Sequence, residues 1–215
     1  MRAGFNQILI GLNLNILILI GIGPDDHLRH KGIKTILDKP GVGSNLQDHI
    51  MIVTDAVAEN SERLGFSPFT GVNPLYYFTW FTSSHYNGPL AEALLGVGAH
   101  FQTPFDSKDP YLRPQIQLIT FPGLTIFDWG AMYADMLGFS DEILTLNAKE
   151  MGKDGVTFLP KLLRPKSIGT IRLASNNYQD HPIIDPQYLK HLDDVNTLVE
   201  ALKIIKKVLD SKHFK

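Results

Sequence analysis

The chain has 215 residues, 44% of them hydrophobic and 20% charged, enough to bury one large domain or one domain plus a fragment. A net charge of −2 and a pI near 6.4 leave no basic footprint for nucleic acid or an anionic membrane. With no cysteine there is no disulfide framework, thiolate metal site or cysteine nucleophile, and no Asn-x-Ser/Thr acceptor is present, which leans against a glycosylated secreted protein.

Ile8 to Ile22 is almost wholly apolar, broken by Gly11, Asn13 and Asn15. A signal-peptide core would need a small-x-small cleavage site, and none follows cleanly. A membrane span would need about 18–20 apolar residues without the two asparagines. The preferred reading is a buried strand or helix of a larger α/β core, with helix and strand left open. Pro24, Asp25 and Asp26 open a short helix, and Gly32 stops it. Thr35 to Leu37 is a short strand candidate, Lys39 to Gly43 must bend, and Ile50 to Val57 reads as a strand of mixed burial.

Leu75 to Phe81 is a buried helix turn or a strand, and Asn87-Gly88-Pro89 is a turn. Leu94 to Phe101 and Arg113 to Phe121 follow as strands. Ala131 to Ile143 has helical spacing interrupted by Gly138. Thr157 to Leu163 and Gly169 to Ala174 suggest paired strands joined by Arg164-Pro165-Lys166-Ser167. From Asp193 the chain carries its best helix, with Val195, Leu198, Val199, Leu202, Ile205 and Leu209 on one face and lysines crowding its C-terminal half. The pattern is α+β: a short α/β start, then a body with antiparallel strands.

No complete catalytic set emerges from the residues themselves. His27 and His30 share one face of a short helix but lack further ligands at metal-binding spacing, so a solvated face is preferred and no metal is expected. Asp48 and His49 could be an orienting carboxylate and a base, yet neighbours on a strand point to opposite faces. Asn45, Gln47 and Asp48 are therefore expected to bond the backbone of the bend. Gly21-Ile22-Gly23 and Gly41-Val42-Gly43 each offer G-x-G without completing G-x-G-x-x-G.

Taken as ordered motifs, the chain resembles the glucose-methanol-choline (GMC) family of FAD-dependent oxidoreductases, in wording most like its arthropod glucose-dehydrogenase-type branch. The first motifs are Gly21-Ile22-Gly23-Pro24 with His27-Leu28, Gly32-Ile33, Pro40-Gly41-Val42-Gly43 and Asn45-Leu46-Gln47-Asp48-His49. Asn87-Gly88-Pro89-Leu90 follows, then Leu162-Leu163-Arg164-Pro165-Lys166-Ser167 with Gly169-Thr170-Ile171-Arg172-Leu173. Ile184-Asp185-Pro186-Gln187-Tyr188-Leu189 and Asp193-Asp194-Val195 close the series.

The resemblance implies an antiparallel substrate-domain sheet backed by helices, plus a remnant of an α/β Rossmann-like FAD domain. Residues 1–48 would be that remnant with its crossover, and 49–215 a substrate-binding domain incomplete at its C-terminus. FAD is the implied cofactor, with Asn45, Asp48 and His49 near the crossover as its candidate contacts. A small alcohol or sugar is the implied substrate, oxidised at CH–OH by hydride transfer to flavin. The family's dinucleotide loop, its first signature and its catalytic histidine segment have no counterpart here. Its second signature is altered, with Asn13-Leu14 standing for Ser-Pro and Ile20 for Ser. An interior fragment without activity of its own is expected; the alternative is a non-catalytic substrate-domain remnant acting as a binding module.

Overall fold

The computed structural model describes residues 14–58, 82, 98–106, 111, 113–124, 138–150, 153, 155–212 and 214. The expected elements at 75–81 and 87–89 lie outside them. The chain forms two compact units: Met1–Ile50 with Arg164–Asn196, and Met51–Leu163 with Thr197–Lys215. The first unit thus joins two stretches of the chain that are separated by more than a hundred residues.

In the first unit the apolar lead resolves, where described, as a helix, α1, over residues 14–19. It is followed by β1 (Ile22–Gly23), α2 (Asp25–His30) and β2 (Leu37–Asp38). Pro24 is the N-cap of α2, and Asp25 and Asp26 fill its first turn, where carboxylates suit the positive helix end. Gly32, at φ +70, closes the turn after it in a backbone region open to glycine.

β1 and β2 pair in parallel, Ile22 with Leu37 and Gly23 with Asp38. The strand expected at Thr35 begins two residues later. The Thr35 hydroxyl donates to Asp25 Oδ1 (2.6 Å), and the Ile36 and Leu37 N–H groups converge on the Gly21 carbonyl (2.8 and 3.2 Å). Ile18, Leu28 and Leu173 form the buried core of this unit, with Leu19, Ile33 and Val42 against it. Burial of this kind contributes roughly 1.5–3 kcal/mol per large aliphatic side chain.

β7 (Thr170–Arg172) pairs antiparallel with β8 (Ile183–Asp185) in the same unit. The expected pairing of the 157–163 and 169–174 runs is therefore wrong. Residues 164–167 do not form a hairpin turn, because Pro165 has no N–H to give and the N–H groups of Lys166 and Ser167 both donate to the Asp194 carboxylate (2.8 Å each).

The second unit is built on a four-stranded antiparallel sheet. Its strands are β3 (Thr54–Val57), β4 (Gly98–Phe101), β5 (Ile116–Pro122) and β6 (Gly155–Leu162), in the order β3-β6-β5-β4. Met51 bridges Lys161 in the register that β3 resumes at Thr54, so the expected strand from Ile50 is present with a break at 52–53.

Alternate residues of the sheet, among them Ala56, Phe101, Leu118, Val156 and Phe158, pack with Leu202, Ile205 and Leu209 of α4 (Leu192–Leu209). Leu198, Ala201 and Ile205 are the buried spine of that helix, whereas Val199 is 42% exposed. Position 199 lies one helical step, about 100°, from Leu198 and so falls off the stripe it was expected to join.

Only the end of the helix expected over 131–143 falls within the described residues. Residues 131–137 lie outside the description, Gly138 sits in a turn at φ +71, and α3 runs Asp141–Asn147. Its N-cap is Ser140, whose Oγ accepts from the Ile143 N–H (3.5 Å), a stronger start signal than apolar spacing across a glycine. Among the described residues, no helix is long and apolar enough to cross a membrane.

Candidate functional site

The bend from Lys39 to His49 is the feature around which the first unit's polar contacts gather. Val42 N–H donates to the Lys39 carbonyl (3.0 Å) and Ser44 N–H to that of Gly41 (3.1 Å), giving the tight reversal that the Pro/Gly run demands. Gly43 adopts φ +71, and a Cβ there would run into the Ile171 carbonyl oxygen. The Gly43 carbonyl accepts from Ile171 N–H (2.8 Å) and from Arg172 Nη1 (2.5 Å). Arg172 Nη2 donates to Ser44 Oγ (2.8 Å), which in turn donates to the Pro40 carbonyl (2.8 Å). One planar guanidinium thus fixes the bend at two successive residues, a task suited to its fork of donors.

Next along the chain, Leu46 and Gly169 exchange both backbone hydrogen bonds (3.1 and 2.8 Å). Gly169 is packed so closely on Asp185 and Pro186 that no side chain would fit. Gln47 Nε2 donates to the Pro165 carbonyl (3.4 Å), and Asp48 Oδ2 accepts from the Tyr188 hydroxyl (2.5 Å). The expectation that Asn45, Gln47 and Asp48 bond the backbone of their own bend is corrected. Ser44 and Arg172 do that, while Gln47 and Asp48 tie the bend to residues 118 and 140 positions away. Asn45, Asp48 and His49 are all exposed. These three exposed polar side chains flank or follow a backbone anchored at Leu46 by Gly169, with Asp48 also held by Tyr188.

Adjoining this segment is a second polar cluster. Asp194, 3% exposed in the first turn of α4, accepts from the N–H groups of Lys166 and Ser167, and Ser167 Oγ accepts from His191 N–H (3.0 Å). Lys166 Nζ donates to Asp193 (2.6 Å), and that hydrogen bond holds the Asp193 carboxyl below the usual carboxylate range. Sequence reading passed over Ser44, Arg172, Tyr188 and Asp194 as site residues. Arg172 and Tyr188 act on partners 129 and 140 positions away, and no local pattern encodes that.

His27 also differs from expectation. It is half-buried, and its Nε2 accepts the Leu173 N–H (3.0 Å), so the ring is neutral with its proton on Nδ1. His30 is the solvated one, with Nδ1 donating to the Asp26 carbonyl (2.6 Å). Among the described residues, no group of three histidines or acids could hold a metal ion.

Burial first, then the charges of Arg172, Lys31 and His30, lower the His27 pKa below the ordinary 6.5. The unfolded chain therefore binds the proton more readily, and the contribution of His27 to stability is complete above 6.5 and fades as pH falls from there through the depressed folded value. Urea midpoints of wild type and His27→Ala should accordingly differ most above 6.5 and converge as the pH falls below it. A difference that is flat across this range would contradict the assignment.

The C-terminal part of this arrangement, residues 165–215, matches the family described as GMC oxidoreductase. Over nearly the whole chain it is 29% identical to an alcohol dehydrogenase [acceptor] of Pseudomonas putida, covering 93% of this chain and 33% of that protein. It is 28% identical to a glucose dehydrogenase [FAD, quinone] of Drosophila melanogaster, covering 89% and 27%. An ecdysone oxidase of Bombyx mori is 29% identical, covering 93% of this chain and 28% of that protein. The chain thus spans about a third of the length of these relatives.

Among solved structures, formate oxidase superposes with a TM-score of 0.65 at 20% identity, covering 94% of this chain and 36% of that one. Pyridoxine 4-oxidase gives 0.58 at 20%, covering 93% and 31%. The fold is α+β of the kind these oxidoreductases share. Residues 165–215 thus match the GMC oxidoreductase family, and the chain as a whole is similar in sequence to the relatives above and in fold to these two oxidases.

Proposed function

We propose that this chain carries part of a flavin-dependent oxidoreductase that oxidises the CH–OH group of a small alcohol or sugar. The observation that carries the reading is the seam between the bend and the family-matching segment. That match begins at residue 165, and Gly169, Ile171 and Arg172 within it are the residues that dock residues 43–46. The two motif groups are thus one structural piece.

In this reading the first unit belongs to the FAD domain and extends the piece expected at 1–48, while the second belongs to the substrate domain. Asn45, Asp48 and His49 are the candidate FAD contacts, since exposed hydrogen-bonding groups on a braced backbone fit the polar edge of such a cofactor. FAD, when bound, supplies the hydride acceptor. In the second unit the sheet face turned away from α4 presents Gln117, Ile119 and Lys161, a mix of polar and apolar groups suited to a hydroxylated carbon skeleton. Identity is level at 28–29% across bacterial, insect and fungal relatives, so assignment to the arthropod branch rests on motif wording. The 215 residues alone are expected to turn over no alcohol, because they span about a third of those enzymes.

The test is a fluorescence titration of FAD with the 215-residue chain and with an Asn45→Ala/Asp48→Ala/His49→Ala variant. Quenching by the wild type, with affinity at least about ten-fold lower in the variant, is expected from the loss of two or three hydrogen bonds. Unchanged flavin fluorescence with the wild type would overturn the cofactor reading and leave the non-catalytic binding module in its place.

A further inference from the structure

We infer that Tyr188 is a positioning residue, a latch that holds the Asn45–His49 segment where it meets its ligand; the ligand half of this statement rests on the cofactor reading above. Tyr188 lies between two non-glycine residues in the left-handed region, Gln187 at φ 51 and Leu189 at φ 59, the only such pair among the described residues. Each such conformation disfavours an L-residue by roughly 1–2 kcal/mol, so it persists only where the surroundings over-determine it.

The surroundings do so for Gln187. The Asp185 carboxylate accepts both the Gln187 N–H (3.2 Å) and Gln187 Nε2 (3.0 Å), while Gln187 Oε1 accepts Lys190 Nζ (2.9 Å) and Gln187 O accepts Lys190 N–H (3.2 Å). The Gln187 amide is therefore bracketed from both sides. This shaped loop carries the Tyr188 hydroxyl onto Asp48 Oδ2, at 2.5 Å. Asp48 lies between Asn45 and His49 in the only stretch of the bend beyond the Leu46–Gly169 bridge. Arg172 and Gly169 brace residues 43–46; past them, Tyr188 and the Gln47 contact with Pro165 hold the segment among the described residues.

The latch is tested on the 215-residue chain without cofactor, by hydrogen exchange of peptides covering residues 44–50. Tyr188→Phe keeps the ring and removes only the hydroxyl, and should speed exchange in these peptides about five-fold, the effect of losing one net hydrogen bond, while residues 169–173 stay as in wild type. Asp48→Asn combined with Tyr188→Phe should add little beyond either single change. Exchange at 44–50 unchanged in Tyr188→Phe, or raised equally throughout the first unit, would overturn the latch.

A parallel FAD titration reads the ligand half: affinity should fall about three- to ten-fold in Tyr188→Phe, in step with the exchange. If exchange responds but the wild-type chain binds no FAD, the latch stands and the cofactor reading fails.

Discussion

Replacing Asp194 by alanine is expected to destabilise the first unit by about 2–4 kcal/mol, the largest effect of any single polar side chain in it. Both carboxylate oxygens are committed, one to the Lys166 N–H and one to the Ser167 N–H, each at 2.8 Å, and the residue is 3% exposed. Alanine would take the acceptor from the buried Ser167 N–H and from the part-buried Lys166 N–H and remove a negative charge from the positive end of an 18-residue helix. The Asp194→Asn substitution keeps one acceptor oxygen and turns an amide nitrogen toward the other donor. Its loss should be about half as large. Guanidinium unfolding read by circular dichroism separates the three proteins. An Asp194→Ala midpoint equal to wild type would remove the carboxylate from its assigned role.

The second large effect is expected at Gly43. Gly43→Ala places a Cβ against the Ile171 carbonyl at a backbone φ of +71, adding roughly 1–2 kcal/mol of conformational strain to a steric clash with main-chain atoms. Backbone cannot yield as a flexible side chain would, so the bend must lift from β7. A total loss of about 3 kcal/mol follows, together with the Ile171–Gly43 and Arg172–Gly43 hydrogen bonds. Arg172→Lys is the informative companion. A lysine keeps the charge but, as a single ammonium, replaces the fork that reaches both the Gly43 carbonyl and Ser44 Oγ, so it should reproduce part of the loss without the clash. Should Gly43→Ala fold with wild-type stability and exchange rates at residues 43–46, the close packing of the bend on β7 would be refuted.

Gly43 shows where sequence reading succeeds, whereas Asp194 was passed over. Gly43 stood in a run whose prolines and glycines demanded a bend, and the bend is there. Pro24, Asp25, Asp26 and Gly32 marked a helix whose ends follow from φ restriction, charge and left-handed backbone, all properties of the residue itself. The spacing of Leu198, Leu202, Ile205 and Leu209 predicted the buried stripe of α4, because 3.6-residue periodicity is written in the chain. Local signals failed where two of them competed. At 138–143 apolar spacing ran a helix across Gly138, yet Gly138 sits in a turn and Ser140 caps a helix that starts at Asp141.

What the sequence determined by itself was therefore the bends, the helix ends, the apolar faces and the motif order that resembles the GMC oxidoreductases. What only tertiary structure decided was pairing: that β7 joins β8 rather than β6, that Arg172 closes on Gly43 and Ser44, and that Tyr188 reaches Asp48. The physical reason is separation. Propensity, capping and periodicity act within a few residues, whereas a hydrogen bond across 129 or 140 positions exists only after the chain has folded and has no local signature to read.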